Sequence, residues 1–184
     1  MILSSADSNF KFLFPKIMFP DIVLEKYEPY INRIPGLLVK DPVELFNYAI
    51  QSLSIPTINF DPITQIDSPG NTRQYRANIQ DTELYERSIT ISCQTLAGFV
   101  NYFMGVEMFK YYYDFKNKAT HLPCSFDIHI TDEECNIVST LHFEDILFNS
   151  ISGLEFNFSS NTVDFKTFDM TFSYNKFEII INYK

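Results

Sequence analysis

Residues 167–174 read TFDMTFSY, an unbroken alternation of polar and apolar side chains. The even-numbered positions are apolar, and the odd-numbered positions are Thr167, Asp169, Thr171 and Ser173. A period of two is typical of a β-strand with one packed face and one solvated face. Residues 154–158, LEFNF, alternate in the same way, and the small polar residues SSNT at 159–162 separate the two runs. The two runs therefore predict an antiparallel sheet in the last fifty residues of the chain.

The rest of the chain has the pattern of further strands and two helices. Strands are predicted at 10–14, 57–60, 87–94, 126–130, 137–143 and 177–182. Helices are predicted at 42–53 and 96–113 from the spacing of their apolar residues, whereas 145–153 is expected to be irregular. The fold class is therefore mainly β (α+β): an antiparallel β-sandwich or barrel with one packing helix and a short extra N-terminal helix.

The N-terminal part differs in composition from the rest. Five prolines between residues 15 and 42 argue against long regular structure, so we expect an apolar arm or long loop that packs on its own core or on a neighbouring subunit. Asp41, Pro42 and Glu44 then have the spacing of a helix start, with Asp41 as the cap. We interpret 1–184 as a single domain, with an interaction arm at 1–60 and a β core at 61–184.

The apolar phase changes near the C-terminus. Apolar positions are even-numbered up to Tyr174, whereas the odd-numbered positions from Phe177 to Ile181 are expected to face inward. A shift of one residue turns the opposite face of a strand toward the core, so a bulge or a tight turn is predicted at Asn175 and Lys176.

Residues 61–83 form a polar segment with a turn sequence, DSPG, at 67–70. Either a long loop or a hairpin fits this composition. Loops of this length inside a compact domain are usually functional or become ordered against a partner. We therefore predict an inter-subunit contact here, with Asp67, Arg73 and Arg76 as its candidate residues.

The composition limits the possible functions. The 184 residues include 19 Phe and 11 Tyr but no Trp, which favours β structure, and their formal net charge is -9. Such a charge disfavours a protein that grips nucleic acid through its phosphates. Three cysteines without paired spacing suit a reducing compartment, and no signal peptide or apolar membrane span is evident.

No motif predicts catalysis. The sequence lacks glycine-rich nucleotide-binding loops and a nucleophile elbow. The spacing of His121, Cys124, His129 and Cys135 does not predict a zinc site, because Cys124 and His129 have opposite parity on one strand. We therefore expect no enzyme activity, no metal and no cofactor. The three acids Asp132, Glu133 and Glu134 form either a solvated turn or the acidic lip of a pore.

The order of strand, helix, strand, acidic turn, strand, irregular corner and hairpin between residues 84 and 183 resembles the tail-tube fold of tailed bacteriophages, which is shared with the ring protein of type VI secretion. Residues 125–138, 141–148, 154–161 and 163–174 carry this resemblance. The composition, rich in Phe, Ile, Asn and Tyr, also resembles that of phages of AT-rich hosts, including crAss-like phages.

The resemblance implies a ring-forming virion protein without a membrane contact, assembled in the host cytoplasm. Its partners would be copies of itself, in six-fold number or a multiple, and neighbouring tail, portal or adaptor rings. Double-stranded DNA would pass through the ring without specific binding, past a lumen or ring interface whose candidate residues are Asp132, Glu133, Glu134, Thr167, Asp169, Thr171 and Ser173. Two alternatives stay open: a ring-adaptor or baseplate-hub protein of the same fold, and a small-ligand-binding β-barrel.

Overall fold

A computed structural model describes residues 9–34, 39–54, 63–67, 70–75, 87–114, 122–154 and 166–182. Its three α-helices are α1 (Asp21–Ile31), α2 (Pro42–Tyr48) and α3 (Val100–Tyr113). Its strands are β1 (Phe10–Phe12), β2 (Ile50–Ser54), β3 (Ile63–Asp67), β4 (Asn71–Tyr75), β5 (Ser88–Gln94), β6 (Phe126–Thr131), β7 (Ile137–Glu144), β8 (Leu147–Ile151), β9 (Thr167–Ser173) and β10 (Lys176–Ile181).

The strands form two four-stranded sheets and one hairpin. The first sheet has the order β1-β6-β7-β10, the second has the order β2-β5-β9-β8, and β3 pairs with β4. Every pairing is antiparallel. Aromatic side chains join the two four-stranded sheets, with the rings of Phe126 and Phe172 5.0 Å apart. The predicted mainly β (α+β) class is confirmed.

The alternation at 167–174 is confirmed in β9. Phe168, Met170 and Phe172 are buried on one side of the strand. On its neighbour β5, which lies within the strand predicted at 87–94, Ile89, Ile91 and Cys93 are buried in the same way. The two apolar sets lie in register, with Ile91 opposite Met170. This shared face forms the centre of the core.

The phase change near the C-terminus marks a change of sheet. β9 belongs to the second sheet and β10 to the first, so the chain crosses between sheets at Tyr174 and Asn175. This crossing is the tight turn that the phase change predicts. The expected inward facing of the odd positions is wrong beyond Phe177, because Ile179 and Ile181 are each 56% exposed. β10 is an edge strand, and Phe177 is its residue that packs against the core, beside Phe143.

Helix α3 covers the apolar face of the second sheet. Its predicted span begins instead with a short 3-10 turn, in which Gly98 and Phe99 have φ values of 70° and 56°. Gly105 allows close packing, because a Cβ at this position would lie 3.0 Å from Cδ1 of Ile151 on β8. Gly105 therefore lets α3 lie close to the second sheet.

The predicted N-terminal arm contains an α-helix, so the expectation of no long regular structure there is wrong. Pro20 occupies the cap position of α1, where its fixed φ is compatible with a helix start. Pro29 lies in the last turn, where it removes a single helical N–H. Met18 and Val23 are buried in the same core as the sheets, whereas Ile22 is 70% exposed.

Two boundaries from the sequence are wrong. The helix predicted at 42–53 begins as expected, with the Val43 N–H donating to Asp41 Oδ1 at 2.9 Å, but it ends at Tyr48. Residues 50–54 pair with β5 instead, so tertiary pairing outweighs the helical spacing of Ile50 and Leu53. Residues 147–151, expected to be irregular, form β8. A register shift between Phe148 and Ser150 places two exposed residues in succession and hides the alternation.

Several predicted features lie outside the described residues. They are the strand at 57–60, the run at 155–158, the turn at 159–162, Arg76 and His121.

Candidate assembly surfaces

The polar side of β9 lies beside the polar side of β5. Thr167, Asp169, Thr171 and Ser173 pair with Gln94, Ser92, Thr90 and Ser88 in that order. All eight therefore share the face of the second sheet that is opposite the core. We call these eight residues, together with Gln51 and Asn149, the polar face. The four polar residues of β5 were not among the candidate residues predicted from the sequence. The same alternation indicates them, because Ile89, Ile91 and Cys93 point to the opposite, buried face.

Hydrogen bonds cross the polar face from strand to strand. Ser92 Oγ donates to the carboxylate of Asp169, and Ser173 Oγ donates to Asn149 Oδ1 at 2.8 Å. Gln51 Nε2 donates to Gln94 Oε1 at 2.9 Å. These contacts connect β2 with β5, β5 with β9, and β9 with β8. The bonds therefore fix the orientation of the polar groups on all four strands of the sheet.

The polar face carries little charge. Asp169 is the one formally charged side chain among its ten residues. Basic residues flank the face: Arg87 directly precedes β5, and Lys166 directly precedes β9. A surface of hydroxyls and amides with a single carboxylate offers few cations to a phosphate backbone.

The acidic turn lies on the first sheet, between β6 and β7. The Asp132 carboxylate accepts the N–H of Glu134 at 2.9 Å, the N–H of Asn136 at 2.8 Å and the Asn136 side-chain amide at 3.0 Å. These bonds, with those from Asn136 first, hold the pKa of Asp132 below its ordinary value. Asp132 therefore shapes the turn, while Glu133 and Glu134 are exposed. The structure places these acids on a different sheet from the β9 candidates.

The segment predicted as an inter-subunit loop contains the β3–β4 hairpin. Five residue pairs join its strands, from Ile63 and Tyr75 to Asp67 and Asn71. Among the described residues, neither strand joins a four-stranded sheet. Arg73 is exposed, and Ile66 is 74% exposed. A two-stranded hairpin alone is marginally stable in water, so this one is suited to contact a partner.

β10 presents an apolar edge. It pairs with β7 on one side, and it ends the sheet on the other side in the described part of the chain. Ile179, Ile180 and Ile181 are 56%, 41% and 56% exposed. A long apolar edge strand readily pairs with another chain, which makes it a site of assembly or of aggregation.

The described residues show no arrangement for catalysis or metal binding. Within these ranges, no three side chains of His, Cys, Asp or Glu are grouped so that they could hold a metal ion. Burial raises the pKa of the Cys93 thiol to about 12 and that of Cys124 to about 11, so both stay protonated at neutral pH. None of the described helices has the length and apolar character needed to cross a membrane.

Comparison with known proteins gives structural similarities at low sequence identity. No protein-family model matches the chain, and no curated protein matches it significantly. The anti-feeding prophage cap, a tube-terminating cap, is 19% identical over 72% of this chain and 80% of that one, with a TM-score of 0.49. The sheath–tube complex of the extracellular contractile injection system PVC is 18% identical over 72% and 81%, with a TM-score of 0.48.

A third similar structure is the baseplate of the anti-feeding prophage. It is 12% identical over 97% of each chain, with a TM-score of 0.48. At such identities and TM-scores, similarity does not establish a shared family or function.

Proposed function

We propose that this chain is a structural subunit of a phage or phage-like particle, forming a ring of the tail-tube type around a channel for double-stranded DNA. The role is one of architecture, without catalysis or a cofactor. The observation that carries the proposal is the polar face of the second sheet. This face spans four strands, and hydrogen bonds fix its side chains. Its ten residues include one carboxylate and no Lys or Arg.

Such a face suits the wall of a channel that DNA must leave. Affinity for a duplex depends mainly on Lys and Arg contacts to phosphates, which the polar face does not offer. The formal net charge of -9 acts in the same direction over longer distances. DNA would therefore pass without being held, and the hydroxyls and amides would keep the wall hydrated.

The strand order allows copies to extend the sheet. Four antiparallel strands place the two edges, β2 and β8, in opposite directions. The β8 edge of one copy can therefore pair antiparallel with the β2 edge of the next. A repeated head-to-tail contact of this kind closes into a ring when its rotation closes.

The resulting channel would be wide enough for a duplex. Six copies of a four-stranded sheet give 24 strands, and with a spacing of about 4.8 Å and a tilt of about 40° they form a barrel about 48 Å across. Side chains fill about 5 Å on each wall, half the usual distance between packed sheets, which leaves about 38 Å. That opening admits double-stranded DNA.

Two other surfaces would contact neighbours. The exposed isoleucines of β10 would be covered by the adjacent copy, which removes an aggregation hazard from the edge. The β3–β4 hairpin, with Arg73, would reach the next ring or an adaptor or portal ring. The similar structures named above come from injection-system assemblies, a particle of the same general kind.

Electron microscopy and mass photometry of the purified full chain test the ring. We expect rings of six copies or a multiple with an open centre, alone or stacked. Ile180→Lys places a charge on the β10 edge and is expected to shift the protein to monomers. Ile22→Lys is the matched control, because Ile22 is 70% exposed on helix α1, which is part of neither sheet, and it should leave the rings intact.

The outcomes separate the parts of the proposal. A wild-type protein that stays monomeric at high concentration contradicts the ring. Rings that persist in Ile180→Lys contradict the contact through β10. They do not decide whether the polar face lines the channel, which is tested separately.

A further inference from the structure

The outer face of the first sheet carries a cluster of charged side chains around His142. His142 lies on β7, where it pairs with Asp127 of β6 on one side and with Glu178 of β10 on the other. Its Nδ1 is 2.5 Å from Asp127 Oδ1, and its Nε2 is 3.4 Å from Glu144 Oε1. Both ring nitrogens therefore face carboxylates.

The geometry favours the imidazolium form of His142. Ionised carboxylates only accept hydrogen bonds, and a neutral imidazole has one N–H to donate. Both contacts are therefore complete when the ring is protonated, and one is lost when it is neutral. In agreement, the hydrogen bond with Asp127 is the main cause that raises the pKa of His142, Glu144 adds to this, and partial burial opposes it.

The cluster continues to the edge strand. Lys176 Nζ of β10 donates to Glu144 Oε2 at 2.8 Å, so one carboxylate joins the imidazole to the edge. The charged groups around His142 are thus Asp127 from β6, Glu144 from its own strand, and Lys176 and Glu178 from β10. The hydrogen bond with Glu144 raises the pKa of the Lys176 ammonium group, and the nearby charge of Asp145 adds to this. With His142 neutral, the ammonium group of Lys176 on Glu144 is, among the contacts of the described residues, the one positive charge left beside the carboxylates of Asp127, Glu144 and Glu178.

We propose that Asp127, His142, Glu144 and Lys176 form a pH-dependent clasp that holds the edge strand β10 on the first sheet and tightens when His142 is protonated. The clasp is a property of the single chain and does not depend on ring formation. Its effect has a definite sign. A histidine whose pKa is raised by folding contributes its full stabilisation below its ordinary pKa of about 6.5, and loses it as the pH rises through the raised value.

Thermal unfolding of the full chain at two pH values tests the clasp. We expect His142→Gln to melt on the order of 2 °C below wild type at about pH 5.5, and this difference to vanish at about pH 8.5. His129→Gln is the matched control, because His129 lies on the same face but contacts the hydroxyl of Thr140 at 3.0 Å. It should show no pH-dependent difference. An equal effect of His142→Gln at both pH values would overturn the clasp.

Two further readouts separate the clasp from a general loss of stability. Exchange of the histidine C2 hydrogen, followed by mass spectrometry, gives the pKa of His142 in an assembly of any size. We expect Asp127→Asn to lower that pKa, and an unchanged value contradicts the proposed contact.

Amide hydrogen exchange, corrected for its intrinsic pH dependence, tests the hold on β10. Between pH 5.5 and 8.5, the protection of residues 176–181 should fall more than the protection of residues 88–94. Equal changes in both strands contradict a local hold on β10.

Discussion

At the scale of single residues, Asn101 joins the second sheet to α3. It is 1% exposed, and its Nδ2 donates to the carbonyl of Gln94 at 2.7 Å, while its Oδ1 accepts the N–H of Leu96 at 3.0 Å. Both partners are backbone groups at the point where β5 ends and the chain turns through Gly98 into the helix. The side chain thus satisfies two polar groups that regular structure leaves without partners in this turn.

Replacement of Asn101 by Ala should reduce the free energy of unfolding by about 2 kcal/mol, because it takes the hydrogen-bond partner from the Gln94 carbonyl and the Leu96 N–H, which are partly buried. Chemical denaturation of the full chain measures this change. Asn149→Ala is the control, since Asn149 is exposed on the polar face and accepts one bond there. Similar stability of Asn101→Ala and wild type would show that water replaces the amide at no cost.

At the scale of elements, Gly105 sets the distance between α3 and the second sheet. A Cβ on Gly105 would lie 3.0 Å from Ile151 Cδ1 and 3.7 Å from Phe46 Cζ. Gly105→Ala gains up to about 1 kcal/mol of helix propensity and should be nearly neutral, because the end of Ile151 can shift. Gly105→Leu forces α3 away from the sheet and should cost about 1–3 kcal/mol.

Denaturation curves of both Gly105 variants measure these effects. Gly153→Leu is the matched control, because a Cβ there meets no atom within 4 Å. If Gly105→Leu is as stable as Gly105→Ala, the helix is not held at that distance by close packing.

Local patterns predicted the elements whose residues alternate without interruption. β5 and β9 followed from period two because each has one buried and one solvated face. β8 was missed because its bulge at Asn149 breaks the period, and β2 was missed because Ile50 and Leu53 also fit helical spacing. α1 was missed because its prolines argued against a helix: Pro20 lies at the N-cap, outside the helical hydrogen bonds, and Pro29 lies inside the helix, where proline is disfavoured.

At the scale of the whole molecule, the sequence could not predict which strands pair. The phase change at Asn175 indicated a turn, but the transfer of β10 to the other sheet depends on contacts distant in sequence, such as Phe143 with Phe177. For the same reason, four polar candidates on β9 were found, but their extension across β5, β2 and β8 was not. The polar face becomes visible once strand order and register are known.

The polar face gives the strongest test of the proposed channel, because a ring multiplies any change made to one copy. Thr171 lies on β9 between Ser150 of β8 and Thr90 of β5, near the middle of the sheet. In a ring of six, Thr171→Lys would add six positive charges to one level of the wall. We expect the variant rings to retain double-stranded DNA at low salt and to release it as salt rises, because each lysine contact to a phosphate displaces a counterion.

Gel-shift assays over a salt series, with wild-type rings as reference, measure this retention. Glu133→Lys is the matched control: it changes the charge of each copy by more than Thr171→Lys does, but it lies in the exposed turn of the first sheet. If the polar face lines the channel, Thr171→Lys binds DNA more tightly than Glu133→Lys despite the smaller change in charge. Equal or stronger binding by Glu133→Lys would mean that DNA responds to net charge alone, and the polar face would then not be the wall.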